Sequence, residues 1–229
     1  MSKDLFIRHK YYRYSPIRFF GERIIKKITE ETIDTFIKFI GEDEKVLDIG
    51  AGAGWIAKSL QERKKARMTL LDVINLNQTN LPLILYDGRK MPFPENSFDT
   101  ALLIHVLHHC DRPQEVLKET KRVVRDKIII IEEAPSFWFD KIFLYFRDTV
   151  NNLFFCFLVS ELKEITNLPF HFKKISEWQE ILENLDLKII HKKQFPSFLG
   201  VSSALLVVGK YHTQNEHSLL SKNWPGIRP

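Results

Sequence analysis

The chain has few of the residues that staple small proteins together. Its 229 residues include only two cysteines, Cys110 and Cys156. Neither sits in a CxxC pair or in a Cys/His cluster, so no disulfide frame and no zinc site is expected, and a reducing compartment suits the chain. Long apolar runs are missing too. The run from Leu153 to Val159 is soon broken by Glu161, and that from Ala101 to Ile104 stops at His105. A membrane-spanning helix needs about 20 apolar residues. The opening residues, MSKDLFIRHKYYRYSP, lack the apolar core of a secretory signal. A soluble, cytoplasmic protein is the expectation. Nor is charge strongly of one sign: 34 Lys and Arg stand against 29 Asp and Glu, leaving +5. That excess permits an acidic ligand, an anionic membrane surface or a nucleic acid, and selects none of them. Repeats and low-complexity tracts are absent.

What is present is an alternation. Glu22 to Ile40 has the apolar spacing of an amphipathic helix that Gly41 would end. Short apolar runs then alternate with helical patterns. Strands are expected at Lys45–Ile49, Arg67–Leu71, Leu83–Tyr86, Phe98–Ile104 and Ile128–Ile131, with helices at Trp55–Arg63 and Pro113–Val124. Ser176 is placed to cap a further helix, and Leu187–His191 and Ser203–Gly209 look like a closing antiparallel pair. The order predicts an α/β fold, a doubly wound, Rossmann-like, mostly parallel seven-stranded sheet with helical lid and cap additions. The lid would occupy residues 1–41, the main domain 42–210 and an irregular tail 211–229. A cap rich in Phe, Trp and Tyr would be inserted at about 135–172.

Glycine is scarce, with nine in all, yet three fall in VLDIGAGAGWIA. A strand that ends in Asp48-Ile-Gly50-Ala51-Gly52-Ala-Gly54 and runs straight into a helix is a ligand-binding turn. Glycine admits backbone angles and close approaches that a Cβ forbids, and such a turn lies at the ligand-binding edge of a doubly wound sheet. A second acid, Asp72, ends the next strand, where it can accept from ribose hydroxyls. The dinucleotide fingerprint is GxGxxG; here the spacing is GxGxG, preceded by Asp48. That carboxylate would repel a pyrophosphate and suits a cationic ligand, which argues against NAD. A turn without a ligand and a solvated strand-end acid are the plainer alternatives.

These blocks resemble class I S-adenosylmethionine-dependent methyltransferases. VLDIGAGAGWIA is similar to their first motif, and LLDV to the acidic end of their second strand. YDGRKMPFPENSFDTALLIHVLHHCDRPQEVLKETKRVV resembles the central block of the small-molecule group that includes the ubiquinone/menaquinone-biosynthesis enzymes. The resemblance implies S-adenosyl-L-methionine as cofactor. It places Asp48, Gly50, Ala51 and Gly52 around the methionine portion and Asp72 on the ribose. Val73, Asp87 and Gly88 would flank the adenine, and His105 would lie near the methionine end and the acceptor. One departure from the pattern is the stretch between Asp72 and Leu83, which lacks a helix of useful length.

A methyl acceptor that arrives protonated needs a base. His105, His108 and His109 are the candidates, with His105 and His109 favoured. Hydrogen bonding to backbone and capping of a turn are their ordinary alternatives. No metal site is expected from the HHC run, which has no identifiable further ligands. Glu132 and Glu133 end the fifth strand, either as solvated acids or as contacts to an amine. The aromatic cap fits a helical core, an apolar acceptor pocket or a membrane-facing patch. RHKYYRYSPIRFF mixes four basic with five aromatic residues and suits a lid over the cofactor, or a passing contact with anionic lipid. No nucleic-acid module is recognisable. The expected activity is methyl transfer to a small, apolar or amphipathic acceptor. The rivals are the same chemistry on RNA or protein, and a non-catalytic binder of the cofactor.

Overall fold

The structure, a computed structural model, describes residues 16–135, 138–159, 171–196 and 202–210. Seven strands form one sheet: β1 (Lys45–Ile49), β2 (Arg67–Asp72), β3 (Leu83–Leu85), β4 (Phe98–Ile104), β5 (Val124–Glu133), β6 (Leu187–Pro196) and β7 (Ser202–Lys210). Their order is β3-β2-β1-β4-β5-β7-β6. All neighbours run parallel except β7, which is antiparallel to both β5 and β6. The expected closing pair is therefore present, and its strands are longer than the sequence pattern suggested.

Five helices are described: α1 (Pro16–Phe36), α2 (Trp55–Lys64), α3 (Pro113–Val123), α4 (Trp138–Val159) and α5 (Ile175–Asn184). Successive strand side chains point to opposite faces, so the β-branched run of β5 supplies two cores. Ile128 and Ile130 join Val116 and Leu117 of α3 and Trp178 and Leu182 of α5. Ile129 and Ile131 join Ile33 and Phe36 of α1 and Ala57 and Leu60 of α2. Burial on both faces is why these strands read as continuous apolar runs. Ile33 and Phe36 are fully buried, each contributing roughly 2–3 kcal/mol.

The structure corrects three local expectations. The first described helix, Pro16–Phe36, already runs before Glu22, where the apolar spacing placed its start. It ends at Phe36 and passes into a 3-10 turn, Ile37–Phe39, which brings Phe39 and Ile40 into the core before Gly41 is reached. Ser176 lies inside the first turn of α5, which the chain enters at Lys174, whose N–H donates to the Glu177 carboxylate at 2.7 Å. The missing helix between β2 and β3 is confirmed. In its place Asn77 organises a loop: its Oδ1 accepts from the Thr79 N–H and hydroxyl, and its Nδ2 donates to Leu81 O. Gln78 N–H then docks that loop on Ala53 O at 3.0 Å.

Candidate active site

The strand order reverses direction between β1 and β4, the switch point at which open α/β sheets bind ligands. Two turns abut there. After β1, Gly50, Gly52 and Gly54 have φ of 67, 52 and 77°, in the left-handed region that glycine enters without cost. A Cβ on Gly50 would lie 2.6 Å from a methyl of Val106, in the turn after β4. Asp72 ties the glycine turn to β2: its Oδ2 accepts Gly52 N–H at 2.9 Å, and its Oδ1 accepts Val73 N–H at 2.7 Å. The predicted ribose-binding carboxylate thus also braces the loop.

Asp48 is buried and its Oδ2 has no hydrogen-bond partner among the described residues. Burial, with the charge of Asp72 adding to it, pushes its carboxyl up to about 7. A buried acid in this state gains from any cation or N–H donor brought beside it. On the other side of Asp72, Val73 is an apolar residue left 54 % exposed. Gly88, at φ 76°, lies so close that a Cβ on it would touch Val73. The exposed Asp87 turns the chain there by accepting Arg89 N–H at 3.0 Å. Val73, Asp87 and Gly88 are therefore one wall of the same edge.

The turn after β4 has a different construction. His105 has φ 55°, a conformation that costs a non-glycine residue about 1–2 kcal/mol and must be held by its surroundings. Glu132, at the end of β5, does the holding. Its Oε1 accepts the N–H groups of both Val106 (2.9 Å) and Leu107 (2.7 Å), and its Oε2 meets His108 Nδ1 at 2.6 Å. His105 Nδ1 lies 3.1 Å from Glu133 Oε2, and the other Glu133 oxygen accepts from Arg147 Nη2 at 2.6 Å. Glu132, Glu133 and Arg147 are all buried, whereas the His105 side chain is 36 % exposed. The two glutamates are neither solvated nor available to an amine, because they are occupied by the turn and by α4.

Electrostatics follow this geometry. Burial works against charge on His105, but the carboxylates of Glu133 and Glu132 outweigh it and raise its pKa. Burial likewise opposes charge on Glu133, and His105, His108 and Arg147 hold it well below the usual carboxylate range. Burial, then Glu132 and Asp111, push the Cys110 thiol up to about 12, which leaves no thiolate nucleophile at neutral pH. His108, Glu132 and Glu133 bring ligand atoms within 4.8 Å of one another. Their oxygens already serve donors of the turn and of Arg147, so the cluster is a hydrogen-bond network in its construction. His109 packs its ring 4.0 Å from that of His108, and Phe172 stacks on the His108 ring at 4.9 Å.

Residues 47–131 match the family described as a methyltransferase domain. That span is 85 of the 229 residues, so the likeness to a methyltransferase domain covers a little over a third of the chain. Demethylmenaquinone methyltransferase of Chlamydia muridarum is 31% identical over 103 residues, 41% of this chain and 45% of that protein. The chain thus aligns with less than half the length of that curated relative. Among solved structures, magnesium protoporphyrin IX methyltransferase of Synechocystis, with SAH bound, superposes with a TM-score of 0.57 at 14% identity, covering 81% of this chain and 83% of that one. A Haloferax volcanii methyltransferase in complex with the Trm112 methyltransferase activator gives 0.58 at 14% identity, covering 76% and 85%. These likenesses are of fold.

The sequence-predicted residues gather at the carboxyl edge of β1 to β5. Asp48, Gly50, Ala51, Gly52, Asp72, Val73, Asp87 and Gly88 form one half, and His105, His108 and His109 the other. Arg147 was missed. Its only sequence signal is that it is the one arginine in the aromatic helix α4. The roles of Glu132 and Glu133 were missed as well, since nothing local in IIIIEE says which donors lie opposite. The segment RHKYY, the tail 211–229 and the side chains of Phe137, Trp138, Phe154, Phe155 and Phe157 lie outside the described residues.

Proposed function

We propose that this protein transfers a methyl group from S-adenosylmethionine to a small, apolar or amphipathic acceptor. The observation that carries the reading is Asp48, a buried carboxylate with an unpartnered oxygen beside a glycine turn at the switch point. A sulfonium ligand with an amino group answers that need, and a pyrophosphate does not. Asp48, Gly50, Ala51 and Gly52 would hold its methionine end, Asp72 its ribose, and Val73, Asp87 and Gly88 its adenine. When bound, this cofactor supplies a methyl already activated on sulfur.

The chain's own task is then positioning and proton handling. With Glu133 ionised, His105 Nδ1 must carry the proton that joins them, which leaves Nε2 of the neutral ring to accept one from an acceptor. His105 is the base favoured by its partial exposure; His109 is packed against His108. The cap at about 135–172 would cover the acceptor, a role supported by the buried Leu144 and Arg147 of α4 and by Phe172 over His108. A relative named for methylating demethylmenaquinone supports an apolar acceptor. Action on RNA is disfavoured, because five acids, Asp48, Asp72, Asp87, Glu132 and Glu133, stand at the carboxyl ends of the strands beside the glycine turn.

The outer face of α4 supports a passing contact with an anionic membrane surface. Phe139, Ile142, Phe143, Phe146 and Val150 recur at helical spacing and are 42–70 % exposed. No described helix is long and apolar enough to cross a membrane. Calorimetric titration with S-adenosylmethionine and, separately, NAD tests the central claim. Micromolar binding of the first alone is expected; no binding of S-adenosylmethionine would overturn it.

A further inference from the structure

We infer that Arg147 is a positioning residue through which the cap helix α4 orients the proposed base, His105, and limits how strongly Glu133 favours its protonated form. The inference rests on the methyltransferase reading above and adds to it a link between cap docking and the charge of the base.

The argument starts with an anomaly. Helix α4 is predominantly apolar, yet it buries one guanidinium, which is 6 % exposed. A buried arginine needs a carboxylate partner, and its partner is one oxygen of Glu133 at 2.6 Å. The other oxygen of that carboxylate meets His105 Nδ1 at 3.1 Å. The Glu133 carboxylate that ends β5 is thus shared by His105 after β4 and Arg147 from the cap, and His108 Nδ1 lies 3.7 Å from the oxygen that His105 meets. Two consequences follow. A cation on one oxygen keeps Glu133 ionised, so Nδ1 is fixed as the donor and the ring is oriented. The same cation offsets part of the attraction that Glu133 exerts on an imidazolium.

Other charges face His105. Glu132 of β5 favours its protonation, and His108 of its own turn opposes it. Without Arg147 two glutamates would act on the ring with less to balance them, and His105 would hold its proton more strongly. The arginine sits on α4 and not on the sheet, so this balance exists only while the cap is seated. The outer face of the same helix is the exposed Phe139–Val150 stripe.

The test reads the imidazole directly. His105 is assigned in NMR spectra of the full chain from a His105→Gln variant, then titrated in wild type, Arg147→Gln and Arg147→Lys. The glutamine variant is expected to raise the His105 pKa by about one pH unit, with the lysine variant restoring most of the wild-type value. The acid limb of any turnover profile would move upward with it. A second pair covers the case in which Arg147→Gln does not fold, as judged by circular dichroism. Glu133→Gln is expected to lower the His105 pKa, and adding Arg147→Met to it to raise the pKa again. Unchanged titration in the folded Arg147→Gln, or in the double variant against Glu133→Gln, would overturn the inference and leave Arg147 as an anchor of the cap. Calorimetry with S-adenosylmethionine on wild type separates this from failure of the functional reading: lost cofactor binding removes that reading, whereas intact binding with an unmoved His105 removes only this one.

Discussion

The two halves of the site are built from different materials. At the ends of β1 and β2 the site is mostly backbone: three left-handed glycines, N–H groups turned toward Asp72, and one buried acid. At the ends of β4 and β5 it is mostly side chain: two glutamates, two histidines and an arginine joined across the sheet. A site meant for one constant ligand is served by backbone, which holds its shape whatever its neighbours do. A site that must manage a proton needs groups whose charges depend on one another.

The side-chain half is expected to be the more fragile. Glu132→Ala leaves the Val106 and Leu107 N–H groups and His108 without their acceptor in a buried turn that already carries strain at His105. Loss of a buried charged partner costs about 3–5 kcal/mol, so a large fall in Tm is expected in thermal denaturation. A change within about 0.5 kcal/mol would mean that the turn does not depend on Glu132.

Asp48 sharpens the contrast through pH. As an acid whose folded pKa is raised from 3.8 to about 7, it keeps in the folded state a proton that the unfolded chain has lost. Its contribution to stability therefore falls as pH rises from about 4 to 7, and the full cost, up to about 4 kcal/mol, applies above 7. Asp48→Asn carries no such cost. Its Tm is expected to exceed that of wild type by a margin that grows over this window and then levels off. A margin independent of pH would show that Asp48 is charged throughout. S-adenosylmethionine should raise the wild-type Tm more at pH 8 than at pH 5, and that difference should vanish in the asparagine variant.

The contrast also explains what the sequence could reveal. The backbone half is local: Asp48 to Gly54 lie within seven residues, and glycine spacing after a buried strand records a turn directly. The order of strands followed from alternation of β and α patterns. The side-chain half joins positions 24 to 28 residues apart across β4 and β5, and one more on α4. Nothing in LHHC or IIIIEE tells which carboxylate serves which donor, because register and tertiary packing decide that. Helix ends were misplaced for a related reason. Gly41 and Ser176 are good local punctuation, but core burial of Phe39 and Ile40 and the Glu177 carboxylate set the boundaries instead.

Gly50→Ala tests the backbone half at its tightest point. The new Cβ meets Val106 at 2.6 and 2.8 Å with φ at +67°, and the backbone strain and overlap together cost roughly 2–4 kcal/mol. Cofactor affinity measured by calorimetry is expected to fall with it. Adding Val106→Ala should recover the overlap and leave the φ cost, so the double variant is expected to fall between Gly50→Ala and wild type. Full recovery would show that the left-handed angle is not needed.

The smallest effect on stability, and the sharpest on location, is expected on the outer face of the cap. Phe146 is 70 % exposed, midway along the stripe of Phe139, Ile142, Phe143 and Val150. Removing an exposed aromatic takes away little buried area, so Phe146→Asp should shift stability by no more than about 0.5 kcal/mol. Leu144 and Arg147, on the inward face of the same helix, would remain buried. Sedimentation with vesicles containing anionic lipid separates the readings of that face. Wild type should partition onto them, more weakly as salt is raised, and Phe146→Asp should not. Equal partitioning of the two, or none by wild type, would remove the membrane contact. A wild-type dimer that the substitution turns into a monomer would identify the occupant of the stripe as a second copy of the chain.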